Sequence, residues 1–132
     1  MTPPASWKTL LPAVAGLAAL AFAVTADAHG SMKPQHGGVV QMTGETLVEL
    51  VTGPTGVALY VKEDDEDVVS SAMTAKLTVT TPAGAKSDVQ MTPAGGNKFE
   101  AKGVKVPAGS KVGVMLVNKA TQARSSVTFA IK

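Results

Sequence analysis

The chain has 132 residues, no cysteine, two histidines and a formal charge of +2, with 4% aromatic against 45% hydrophobic residues. A chain this short cannot build a Rossmann dehydrogenase, a TIM barrel or a protein kinase. Without thiols, disulfide scaffolds, iron–sulfur clusters, thiolate zinc sites and cysteine nucleophiles are excluded as well. Chemistry is left to histidine, methionine, carboxylates and backbone.

Residues 1–28 read as a cleaved secretory signal. Lys8 supplies a sparse positive start, Leu10 to Val24 is an almost unbroken apolar run, and Ala26-Asp27-Ala28 has the small-x-small form of a cleavage site. The run is about 15 residues, shorter than the ~20 that a membrane-spanning helix needs. On this reading the protein is periplasmic, has no membrane insertion after cleavage, and begins at His29. Twelve basic residues less Lys8, and ten acidic less Asp27, leave a mature chain of 11 and 9. The lysines are scattered singly, with almost no aromatic residues between them, so no nucleic-acid partner is expected.

Next comes a segment rich in metal-ligating types, expected to be flexible over 29–36: His29, Met32 and His36, with Met42 shortly beyond. A free N-terminal histidine offers its α-amine and ring nitrogen to one ion, and an α-amine of pKa near ~7.7 deprotonates easily. Imidazole and amine suit Cu(II), and thioethers suit Cu(I). His29, His36, Met32 and Met42 are therefore the candidate metal ligands, and copper is the expected ion. Solvated histidines in a polar terminus and a packing role for Met42 are the plain alternative. Catalytic zinc would want a third ligand, which Glu45 or Glu49 could provide only through the fold.

From Gly37 to Lys132 the apolar residues recur at period two. Strands are expected over Gly38 to Met42, Thr46 to Thr52, Val57 to Lys62, Lys76 to Thr80, Ser87 to Thr92, Lys98 to Lys102, Lys111 to Asn118 and Ser126 to Lys132. Between several of them stand turn signals such as Gly53-Pro54-Thr55-Gly56 and Thr81-Pro82-Ala83-Gly84. The pattern predicts one all-β domain over 37–132, a single antiparallel β-sandwich of 7–8 strands. Its form is expected to be an immunoglobulin-like or cupredoxin-like Greek key, with an OB-type barrel as the alternative. Leu77, Val79, Phe99, Val112, Val114, Leu116, Val127, Phe129 and Ile131 are the expected core. Met73, Met91 and Met115 are expected to pack. Tyr60 is expected to fill the sandwich edge with its hydroxyl at the surface.

Glu63-Asp64-Asp65-Glu66-Asp67 lacks the glycine and glutamate positions of an EF-hand and reads as a solvated hairpin tip. No Gly-x-Ser-x-Gly, His-Glu-x-x-His or P-loop occurs, so no enzyme activity is expected.

With its N-terminal histidine and cysteine-free β-sandwich, the mature chain resembles the CopC-like periplasmic copper-resistance proteins. Only His29 carries over, since no histidine follows His36 in the position of that family's later ligand. His36-Gly37-Gly38-Val39-Val40, Glu49-Leu50-Val51 and Leu59-Tyr60-Val61 look like small secreted proteins that accompany heavy-metal efflux systems. That resemblance implies export and metal handling, with His36 as the matching position and an efflux-pump component as partner. The expected function is periplasmic copper buffering or delivery. Its rivals are a metal-free adaptor module that binds another envelope protein, and a histidine-brace copper oxidase beginning at His29.

Overall fold

A computed structural model of the chain describes residues 32–132. Among them every regular element is a strand except one turn of 3₁₀-helix at Ser70–Ala72. The strands are β1 (Val39–Thr43), β2 (Thr46–Gly53), β3 (Gly56–Glu63), β4 (Glu66–Asp67), β5 (Met73–Thr80), β6 (Lys86–Gln90), β7 (Thr92–Pro93), β8 (Lys98–Lys102), β9 (Lys111–Asn118) and β10 (Arg124–Ala130). They form two antiparallel sheets, ordered β1-β2-β3-β8-β7 with β4 paired to β3, and β10-β9-β5-β6. The expected all-β sandwich is the fold. The ten strands exceed the expected seven or eight because the two-residue strands β4 and β7 are too short to show a period.

Alternation sorts the side chains. In β5, Met73, Ala75, Leu77 and Val79 are buried, and the residues between them are half-buried or exposed. In β3, Val57, Leu59 and Val61 face inward in the same way. Phe99 and Phe129 are both fully buried, and burying such a side chain contributes about 1.5–3 kcal/mol. All nine expected core residues take part, although Ile131 lies beyond β10 and is only partly covered. Met73 and Met91 are in the core, whereas Met115 is exposed on the outer side of β9.

Two local readings are corrected. Ser87 to Thr92 does not form one strand: Gln90 ends β6 in one sheet, Thr92 begins β7 in the other, and buried Met91 makes the crossing. The N–H of Met91 donates to the Ala75 carbonyl as the chain turns the corner. The strand containing Leu77 also starts three residues earlier than expected, at Met73. There Thr74 and Lys76 alternate with small or flexible inward residues, which weakens the hydropathy signal.

Candidate functional site

β2 carries one charged residue inside an apolar run, Thr46-Leu47-Val48-Glu49-Leu50-Val51. Val48 and Leu50 point into the core, so the pleat turns Glu49 to the outer face of the sheet. It is nonetheless only 2% exposed. Residues 35–38 pass over it, and their donors converge on its carboxylate. Gln35 N–H donates to Oε1 at 2.9 Å, while His36 N–H and Gly38 N–H donate to Oε2 at 2.8 and 2.9 Å. The His36 ring completes the set, with Nδ1 3.1 Å from Oε1.

Burial pushes the Glu49 carboxyl up, but the hydrogen bonds from Gly38, from Gln35 and from both donors of His36 outweigh it and hold the group below its ordinary value. An ionised carboxylate only accepts, so Nδ1 carries the proton toward Glu49. In the neutral imidazole this leaves Nε2 as the free electron pair, on a side chain that is 42% exposed.

The register of β2 and β3 supplies the other side of the imidazole. Glu49 is the direct cross-strand partner of Tyr60. The His36 ring therefore lies flat on the Tyr60 ring, with centroids 3.5 Å apart and planes 1° from parallel. Tyr60 in turn pairs with Lys98 on β8, whose Nζ stands 5.8 Å from the ring centroid. The Glu100 carboxylate 3.2 Å away and Tyr60 raise the Lys98 ammonium above the ordinary lysine value. Tyr60 thus belongs to the sheet face under His36 and not to the sandwich edge.

Gly38 permits the close approach. A Cβ there would sit 2.2 Å from the Leu50 carbonyl oxygen and 2.8 Å from Val51 Cγ2. Gly37, at φ +77°, turns the chain from His36 into β1.

The imidazole borders a hollow of about 310 Å³, whose other walls include Leu47, Lys62, Asp67 and Asn97. Asn97 is fixed by its Nδ2, which donates to the Val61 carbonyl at 3.0 Å and lies 3.4 Å from Asp67 Oδ1. Lys62 and Asp67 approach to 3.9 Å.

The four expected ligands fare differently. His36 is at the centre of the site, and its backbone N–H donates to Glu49. Met42 faces the same outer surface as Glu49, because Val40 pairs with Glu49 and Met42 with Leu47, but it does not line the hollow. Met32 is 49% exposed at the start of the described chain. His29 lies outside the described residues. Glu49 does come to the site, where its carboxylate accepts from His36 and from the backbone above it. Among the described residues no three His, Cys, Asp or Glu side chains are grouped to hold a metal ion. The sequence clue to Glu49 was its isolation as a carboxylate within an apolar strand.

Glu63 pairs with Glu66 across a two-residue turn, Asp64-Asp65, with both turn residues at positive φ. The acidic run is a hairpin tip, as expected. Comparison with protein families, with characterised proteins and with solved structures gave no match to this chain.

Proposed function

We propose that the protein is a non-enzymatic metal-binding β-sandwich of the periplasm that holds copper through His36 and buffers it or passes it to an efflux component. What supports this reading is the pairing of His36 Nδ1 with a buried carboxylate. A metal-ligating histidine commonly donates its other ring N–H to such a group, which fixes the tautomer and the ring plane. Stacking on Tyr60 fixes the plane a second time.

One imidazole nitrogen does not hold an ion tightly by itself. The remaining donors in this reading are His29, with its α-amine after signal cleavage, and the thioethers of Met32 and Met42. His36 lies seven positions after His29, and a chain of that length reaches up to about 24 Å. Nitrogen donors would serve Cu(II) and sulfur donors Cu(I), so the set favours copper over zinc.

The test is titration of the exported protein with Cu(II) and Cu(I), alongside His36→Ala and Glu49→Gln variants. His36→Ala should abolish tight Cu(II) binding, and Glu49→Gln should weaken it about 10- to 100-fold through loss of orientation. Met32→Leu/Met42→Leu should weaken Cu(I) and spare Cu(II). A chelator should leave the main unfolding transition in place, because the core is built without the site. If the wild type binds neither ion, the Glu49 cluster is a structural latch and the metal-free adaptor becomes the better reading.

A further inference from the structure

Lysines that are scattered along the sequence meet at one end of the sandwich. Lys102 pairs with Gly56 where β8 ends and β3 begins. Thr80, at the end of β5, has Lys86 on one side and Lys111 on the other, and Lys111 pairs with Ala130 at the end of β10. The connection from β8 to β9 adds Lys105. It is tied to its surroundings by Gly103 N–H donating to the Thr55 carbonyl and Gly109 N–H donating to that of Ile131.

Lys86, Lys102, Lys105 and Lys111 are all exposed, and among the described residues none is within salt-bridge distance of a carboxylate, although Lys86 acts on Asp88 from further away. No Asp or Glu occurs in residues 53–56, 80–86, 102–111 or 130–132. The nearest acids along these strands, Asp88 and Glu100, stand two residues inward and face Lys76 and Lys98. The opposite end carries Glu45 and the Glu63–Asp67 hairpin, joined where Asp64 N–H donates to the Glu45 carbonyl. Lys62, which pairs with Asp67, Lys119 and Arg124 offset only part of that negative charge.

We propose that the lysine-bearing end is a docking surface for an anionic phospholipid bilayer. The type of residue decides between partners. Lysine is a hydrated point charge, whereas recognition of a discrete phosphate or carboxylate favours the arginine fork, and the only arginine of the chain, Arg124, is at the far end. The turns and tails of this end contain no aromatic residue, asparagine or glutamine, so nothing there stacks on a base or reads a polar edge. Four cations, three at strand ends and Lys105 in a connection, match a diffuse sheet of negative charge. The acidic hairpin, repelled by the same surface, turns outward. The sandwich then stands end-on, with the His36 face open to the side. Each lysine close to such a surface contributes about fivefold in affinity, fading beyond a Debye length of about 8–10 Å.

The test is co-sedimentation of residues 32–132 with vesicles. This part contains both sheets and the whole described core, and it leaves out the apolar run 10–24, which would bind lipid by itself. Vesicles of phosphatidylcholine alone are compared with vesicles that also contain phosphatidylglycerol. Binding is expected only to the latter. It should fall about fivefold for each of Lys102→Gln, Lys105→Gln and Lys111→Gln, fall with added salt, and stay unchanged in Asp64→Asn/Asp65→Asn. Circular dichroism checks that the variants are folded. Equal binding to both vesicles, or undiminished binding by the triple lysine variant, overturns the proposal. So does tighter binding to duplex DNA than to the vesicles, or a lysine-dependent self-association without lipid, which would assign the charge to copies meeting end to end. No arm contains metal, so the result is separate from the fate of the copper reading.

Discussion

His36 Nδ1 stands 3.1 Å from Oε1 of Glu49, thirteen residues further along the chain, and both belong to one hydrogen-bonded cluster on the outer face of β2. The carboxylate is buried under the segment it holds. Closing this segment onto the sheet and aiming the imidazole are therefore one event.

Replacing Glu49 should separate charge from shape. In Glu49→Gln the side chain keeps its size, but an amide N–H₂ replaces one oxygen and faces two of the four donors that the carboxylate accepted. Hydrogen bonds to charged groups contribute about 1.5–3 kcal/mol, so a loss of about 2–3 kcal/mol is expected. Urea unfolding should show a lower midpoint at unchanged m-value.

The same carboxylate predicts a pH dependence. Its folded pKa lies below the ordinary value, so its contribution is fully present above the unfolded pKa of about 4.3 and is lost as pH falls through the folded one. Below about 4.3 the stability gap between wild type and Glu49→Gln should narrow, because a protonated Glu49 resembles glutamine. Urea midpoints measured from about pH 5 downward give the answer; a gap that widens below about 4.3 would contradict the assignment.

Gly38 and Gly37 should respond differently to alanine. At Gly38 the new methyl meets the backbone of β2, and relief requires β1 to move, an overpacking loss of about 2–3 kcal/mol. At Gly37 nothing lies within 4 Å, so only the left-handed backbone opposes the change, at about 1 kcal/mol. Thermal unfolding ranks the two, and hydrogen exchange in β1 should accelerate only for Gly38→Ala.

Ser110 offers a gain. It is 1% exposed, and among the described residues its Oγ has no hydrogen-bond partner, although its backbone N–H and carbonyl are both bonded. Removing an unsatisfied buried hydroxyl relieves its desolvation penalty, so Ser110→Ala should be neutral or stabilising by up to about 1 kcal/mol. A melting temperature that drops by several degrees would show that the hydroxyl has a partner after all.

The sequence by itself determined the strand class, the inward residues and most turns, because pleat and turn geometry are local. Leu77 and Val79, or Val127 and Phe129, face one way whatever they pack against. His36 was visible as a ligand type, and Glu49 only as a carboxylate that the fold could bring near it. What only the tertiary structure decided was pairing. The register of β2 against β3 sets Tyr60 beside Glu49, and the course of 35–38 brings His36 onto both. The passage of Met91 between sheets depends on contacts far apart in sequence and has no local pattern. The lysines make the same point most plainly. Scattered along the chain they gave no cluster, yet antiparallel strands bring their ends back to one place, so Lys86, Lys102 and Lys111 share an end of the sandwich.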